Sequence, residues 1–294
     1  MQIGVLGNAA SWYTRELERA AQLRGHAFAR VDYRRIAAAV GSQEAWVSGD
    51  TESDLAALDA LVVRTMPPGS LEQVVFRMDA LARLESKGPL VLNPPKAIEC
   101  AVDKYLTTSK LAAAGLPVPE TTVCERADDA MSAFAGLGGD VVVKPIFGSE
   151  GRGILRISDP DLAFRTFRTL ERTDSVLYLQ QFVEHEGFDV RVLVLGGTVI
   201  GAMRRGSPRD FRTNVARSGS AQPHELTSQE AEWGLRAAAA TGALFAGIDL
   251  LYDRSGTGFV VEVNAVPGWR AFQKTTRCDV AELVIRFLEE RVGT

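Results

Sequence analysis

The sequence predicts an α/β N-terminal domain on a parallel sheet, followed by an α+β half with antiparallel sheets. Three patterns carry this expectation. Short apolar strands alternate with amphipathic helices through residue 95, which calls for right-handed βαβ crossovers. Further on, glycine-containing turns join strands into hairpins. The breakers Asn93, Pro94 and Pro95 separate the two regimes.

In chain order, residues 3–7 (IGVLG) read as a buried strand and residues 12–24 as a helix, with Gly25 in a C-cap position. Strands follow at 27–31, 61–63 and 90–92, with an amphipathic helix over 71–86. The pattern is helical over 97–114, stopped by Gly115 and Pro117. Residues 138–156 give two strands around a glycine-rich turn, and a helix at 161–171 leads to a strand over 176–183. Strands 190–195 and 199–204 pair at Gly196-Gly197, and strands 247–252 and 258–263 form a second hairpin. Helices at 228–241 and 279–291 complete the pattern. There is no internal repeat and no low-complexity tract.

Composition narrows the function classes. The chain has 294 residues, 46% of them hydrophobic and 24% charged, with a net charge of -4. That suits packed cores and argues against a polyanion binder in bulk. No apolar run reaches the ~20 residues of a membrane helix. No basic segment precedes the short apolar start, so neither a membrane partner nor a signal peptide is expected. Cys100, Cys124 and Cys278 lack metal-ligand spacing and read as incidental thiols of a reducing cytoplasm.

Asp249, Glu262 and Asn264 carry the clearest chemical signal. Residues two apart on a strand share a face, so Glu262 and Asn264 project together while Val261 and Val263 face the core. Asp249 lies on the preceding strand of the hairpin. Two carboxylates and an amide oxygen are hard ligands that suit Mg²⁺. A solvated strand face is the alternative, yet GIDLL and VVEVN embed these charges in apolar runs, where a carboxylate needs a partner.

Lys144 ends the strand VVVK and precedes a loop with Gly148, Gly151 and Gly153. Backbone N–H groups of such a loop approach phosphate oxygens closely, and the lysine adds a point charge. The missing GK[ST] ending excludes a P-loop, and a glycine-rich hairpin without function is the alternative. Lys104, one lysine on a helix, carries no weight alone. In YLQQFV a polar pair sits between apolar residues, as in a strand reading an adenine edge or in an ordinary edge strand. Asp189 and Arg191 share a strand face, as site residues or as a salt bridge. Residues 204–217 hold five arginines but only Phe211 to stack a base, which favours a small anionic substrate over nucleic acid. His26, His185 and His224 are scattered, with no nucleophile–base arrangement around them.

These segments, in this order, resemble the ATP-grasp superfamily and its RimK-like α-L-glutamate ligases. The resemblance rests on Asp103-Lys104 and the GLPVPET that follows, VVVKPIFGSEGRGI, LQQFVEHEGFDVRVLVLGG, DFRTNVARSG, GIDLL and VVEVNAVPGW. It implies a pre-ATP-grasp domain at 1–95 contributing to the substrate site, a central lid domain at 96–183, and a C-terminal domain at 184–294 with the metal site. Lys104 and Lys144 would contact nucleotide phosphates beneath a cover of Gly148, Ser149, Gly151, Arg152 and Gly153. Gln180, Gln181, Phe182 and Val183 would form the adenine hinge, with Asp189 at the ribose. Asp249, Glu262 and Asn264 would hold one or two Mg²⁺ ions, Mn²⁺ being a substitute. Arg191, Arg212, Asn214 and Arg217 would orient the γ-phosphate, the acyl phosphate and substrate carboxylates. One departure is visible: the hinge often carries a glutamate where Gln181 stands, which touches side-chain contacts but not backbone recognition.

The activity so implied is ATP-dependent amide formation through an acyl phosphate, adding glutamate to an acceptor carboxylate in a cytoplasmic homo-oligomer. No protein nucleophile is required, in keeping with the absence of a Ser or Cys signature. The apolar MPPGS turn favours a small, flat-ringed acceptor over a charged protein tail. A carrier-protein ligase, a D-alanine ligase-like enzyme and a non-catalytic nucleotide-binding regulator are the alternatives.

Overall fold

The computed structural model describes residues 1–41, 46–48, 53–148, 151–206 and 220–293. The chain opens with β1 (Gln2–Leu6), α1 (Trp12–Leu23) and β2 (Ala27–Val31). A small antiparallel sheet that sequence patterning did not signal comes next: β3 (Ile36–Ala38), β4 (Trp46–Ser48) and β5 (Ser53–Asp54). Then follow β6 (Ala60–Val63), α2 (Leu71–Glu85) and β7 (Leu90–Leu92). Strands β2, β1, β6 and β7 form a parallel sheet in that order, with Val5 between Arg30 and Val62. Helix α2 starts in a capping box in which Ser70 and Gln73 satisfy each other's backbone. The parallel order sets Gly7, Arg64 and Asn93 just past the carboxyl ends of three strands.

The next segment holds α3 (Pro95–Val102), α4 (Lys104–Ala113), β8 (Thr121–Cys124), α5 (Ala127–Gly136), β9 (Val141–Lys144), β10 (Leu155–Ile157), α6 (Pro160–Glu171) and β11 (Leu177–Gln181). The helical pattern over 97–114 resolves into two helices that meet at Asp103. Asp103 takes an extended conformation, and its Oδ1 accepts from the Leu106 amide at 2.9 Å. An N-cap of this kind starts a new helix, so Lys104 becomes its first residue. Strands β10, β9, β11 and β8 form an antiparallel sheet whose core, including Phe134, Val141, Phe167 and Leu177, is separate from the others.

The last segment holds β12 (Phe188–Leu195), β13 (Thr198–Gly206), β14 (Ser220–His224), α7 (Ser228–Thr241), β15 (Phe245–Tyr252), β16 (Gly258–Asn264), α8 (Arg270–Thr276) and α9 (Val280–Val292). Its antiparallel sheet runs β14-β13-β12-β15-β16. The β12–β13 turn needs Gly196 and Gly197, because both have positive φ (59° and 79°). This segment shares a core with the N-terminal sheet: Ile3, Val5 and Leu17 pack with Val280, Val284 and Leu288. Asn93 bolts the two together. Its Oδ1 accepts from the Leu244 and Phe245 amides at 2.7 Å, and its Nδ2 donates to the carbonyls of Phe245 and Ala265.

Candidate active site

A cleft with about 640 Å³ of empty space, open solvent at its mouth included, lies between the central and C-terminal sheets. Lys144, Gln180, Gln181, Phe182, Val183 and Asp189 line it together with Asp249 and Glu262. Strands β9 and β11 are neighbours, and Lys144 faces Tyr178 across them. Its Nζ donates to Gln180 Oε1 at 2.6 Å, while Gln180 Nε2 donates to Thr121 Oγ1 and Tyr178 OH at 3.0 and 3.2 Å. The Gln180 amide is therefore committed to holding Lys144, while the Gln181 and Phe182 backbone amides donate to the Glu120 and Asp140 carbonyls at 2.8 and 3.0 Å. Phe182 is pinned from behind: the Arg156 guanidinium stacks 3.5 Å from its ring centroid and forks onto Asp140 at 3.0 and 2.6 Å.

Lys104, at the start of α4, reaches the same region and donates from Nζ to the Gly148 carbonyl at 2.8 Å. Burial lowers the pKa values of both lysines, that of Lys144 to about 8, against the opposing pull of Glu262. Two cations with depressed pKa values beside one another want an anion. Gly151 and Gly153 have positive φ (71° and 74°), and a Cβ on Gly153 would stand 3.3 Å from Pro145. Arg152 is exposed on this turn. Ser149 lies outside the described residues.

On the C-terminal sheet, Asp249 and Glu262 are direct cross-strand partners. A β-bulge follows Asp249, and its extra residue is Val261, which lines the cleft instead of facing the core as strict alternation requires. Val260 and Val263 are the residues that β16 buries in its place. Asn264, two residues past Glu262, accepts from the Val266 amide at 2.9 Å.

The charges around Asp249 are arranged differently from the Asp189–Arg191 pair that the sequence allows. Arg191 forks onto Asp249 across β12 and β15, and Arg205 from β13 forks onto Asp189 at 2.8 and 2.6 Å while reaching Asp249 at 3.0 Å. Burial pushes the Asp249 carboxyl up, but the two guanidinium groups outweigh it and hold it below the usual range. Arg205 was not singled out from sequence. Its signal was only its place in an arginine-rich stretch, whereas its role depends on strand pairing. Arg212, Asn214 and Arg217 lie outside the described residues.

The donor chemistry fits Mg²⁺. A carboxylate offers about four lone-pair sites, and Asp249 spends three of them on Arg191 and Arg205, leaving one on Oδ2. Glu262 has no hydrogen bond or ion pair among the described residues, and Asn264 retains a second lone pair. No group of three His, Cys, Asp or Glu gathers anywhere among the described residues, so the site here is two carboxylates and an amide oxygen.

Comparison with known proteins places this architecture. Residues 1–98 match the RimK PreATP-grasp domain and residues 101–288 the RimK-like ATP-grasp domain. The chain belongs to the RimK-like ATP-grasp family. It is 33% identical to a tetrahydromethanopterin:alpha-L-glutamate ligase of Methanosarcina acetivorans, over 98% of each chain. It is 31% identical to a probable alpha-L-glutamate ligase of Trichodesmium erythraeum, over 100% of this chain and 97% of that one. Among solved structures, the ATP-grasp ligase PsnB complexed with minimal precursor, Mg and ADP shares the fold at a TM-score of 0.78 and 22% identity, covering 99% of this chain and 97% of that one. A RimK domain protein from Sphaerobacter thermophilus does so at 0.76 and 21%, covering 98% and 99%. In this RimK-like chain, Lys144 shares the cleft with Asp249 and Glu262, and the Glu262 carboxylate acts electrostatically on Lys104 and Lys144 alike.

Proposed function

We propose that this RimK-like ATP-grasp chain is an α-L-glutamate ligase that activates an acceptor carboxylate with ATP and joins it to the amine of glutamate, a small pterin-type acceptor being favoured. One observation carries this reading: a single cleft sets the half-buried Lys144 and a hinge strand against the carboxylates of Asp249 and Glu262, with Lys104 under the influence of the same Glu262. The acceptor is suggested by relatives named for tetrahydromethanopterin, one 33% identical and another 29% identical from Methanococcus maripaludis.

The chemistry needs little covalent help. The acceptor carboxylate attacks the γ-phosphorus of ATP in line, and ADP leaves. The glutamate amine then attacks the acyl phosphate, forming the amide bond and releasing phosphate. Lys104 and Lys144 hold the phosphates, the hinge holds adenine through backbone groups, and Asp189 with its Arg205 partner stands at the ribose. Asp249, Glu262 and Asn264 would hold Mg²⁺, which supplies charge neutralisation at the phosphates when bound. Positioning and exclusion of water are the protein's share.

The test is ADP release with L-glutamate and tetrahydromethanopterin or related carboxylates, with product mass read in parallel. Amine-dependent ADP and an acceptor heavier by one glutamyl residue are expected. Nucleotide binding without amine-dependent ADP under any pair would give the chain to the non-catalytic, regulatory reading.

A further inference from the structure

A second cluster of polar groups, none of them in the lining of the cleft, stands where α1, β6 and the loop after β16 meet. Arg64 is 6% exposed and has no carboxylate partner among the described residues. Its Nη2 donates to the Pro267 carbonyl at 3.0 Å, and its guanidinium lies 4.8 Å from the Tyr13 ring and 4.3 Å from the Trp269 ring. Its Nε is buried without a hydrogen-bond partner, as are Thr14 Oγ1 and Trp269 Nε1. A buried cation left without a counter-charge costs several kcal/mol, and burial pulls its pKa down to about 10. Such an arrangement is retained where an anion arrives to complete it.

The N-terminus of α1 adds to the same place. Ser11 makes no side-chain cap, and no acidic residue stands in the first turn of this 12-residue helix, so its first amides carry uncompensated partial positive charge. Thr14 sits in that first turn, 3% exposed, and its hydroxyl closes on Gly7, where an added Cβ would meet Thr14 Oγ1 at 3.0 Å and Arg64 Cβ at 3.3 Å. Asn8, Ala9, Ala10 and Thr65 above it are exposed, so the rim is open. The position lies past the carboxyl ends of β1 and β6, where open α/β sheets take ligands.

We propose that Arg64, Thr14 and the first turn of α1 form a receptor for a substrate carboxylate, separate from the nucleotide cleft. This rests on the ligase reading above, which assigns the nucleotide phosphates to Lys104 and Lys144 and leaves carboxylates as the other anions of the reaction. The guanidinium supplies a planar fork, the hydroxyl a third donor and the helix end a field of the right sign. Through Pro267, Arg64 also ties this receptor to the loop that follows Asn264. Two sources share the chemistry: the acceptor's carboxylate and a carboxylate of the incoming amino acid.

Arg64→Met, Arg64→Lys and Thr14→Val separate the outcomes. Wild type and variants are titrated with L-glutamate and with tetrahydromethanopterin, each with and without Mg–ADP, by ligand-observed NMR. KM values for ATP and for each carboxylate are measured where turnover exists. Arg64→Met is expected to weaken one of the two carboxylate ligands by tenfold or more, in line with loss of a charge-assisted pair. Mg–ADP affinity and thermal midpoint should hold, with Thr14→Val intermediate and Arg64→Lys partly restoring. The affected ligand names the source. Unchanged affinity for both ligands in Arg64→Lys and Thr14→Val overturns the proposal, as does loss of Mg–ADP binding in step with stability, which would make Arg64 only a structural pin. Failure of wild type to bind Mg–ADP would instead sink the nucleotide assignment, and the carboxylate titrations of the free protein would still decide this one.

Discussion

Arg191 grips Asp249 as a full fork, Nε on one carboxylate oxygen and Nη2 on the other, both at 2.6 Å. With Arg205 at 3.0 Å on the first oxygen, the carboxylate cannot rotate, and its remaining lone pair has one direction. A metal ligand so fixed is limited to a single oxygen.

Arg205→Met removes the guanidinium shared by Asp189 and Asp249. Breaking a buried pair from one side costs about 3–5 kcal/mol, so denaturant melts should show a loss of that order. The double variant Arg205→Met/Asp189→Asn should recover part of it. Equal stability of the single variant and wild type would show that the buried charges are not coupled.

Nucleotide affinity should fall at alkaline pH. Lys144, its folded pKa lowered to about 8, is half protonated at that pH and fully protonated only well below it, and it binds phosphate in the protonated form. Between about 8 and the ordinary 10.5 the free protein gives up this proton while the unfolded chain keeps it. Unfolded chain therefore binds more protons there, and stability of the free protein rises through that window. ADP affinity moves the opposite way, weakening by up to tenfold per pH unit above 8 until the bound-state pKa is reached. Lys144→Arg, titrated by calorimetry from pH 7 to 10, should flatten the profile. A flat wild-type profile would remove Lys144 from the phosphates.

Arg156→Ala should raise the KM for ATP severalfold, since a cation–π contact is worth about 0.5–2 kcal/mol and this one backs Phe182. kcat should change little, because Phe182 is assigned to the adenine and not to the phosphates. An unaltered KM would mean that Phe182 holds its place without the stack.

Asn93→Ala strands two carbonyls and two amides in the seam between the parallel sheet and β15. Each buried unsatisfied group costs about 1–3 kcal/mol, so a destabilisation of 3 kcal/mol or more is expected in urea. A smaller loss would imply that the seam admits water.

Much of this was legible from residues 3–7, 27–31, 61–63 and 90–92, where apolar runs between helices have one reading, a parallel sheet. The elements that escaped are those whose patterns tertiary context overrides. Thr121–Cys124 is half-buried along its whole length and follows two prolines, so no alternation marks it. Ser220–His224 is a largely exposed edge strand carrying Pro223, as edges can. Local spacing identified Asp249, Glu262 and Asn264 as a set, but not that Arg205 would arrive from two strands away, nor that a bulge would turn Val261 into the cleft. Arg64 closes a strand, and an arginine there is ordinary until its burial without a counter-charge is seen.

The central sheet keeps its own core, while the parallel sheet and the C-terminal sheet share theirs. Lys144 therefore belongs to one body, and Lys104, on a helix whose Leu111 packs with the C-terminal core, belongs to the other along with Asp249 and Glu262. A nucleotide spanning them acts as mortar between two bricks. Without it, the central brick is free to melt on its own; with it, calorimetry should see the pair dissolve together.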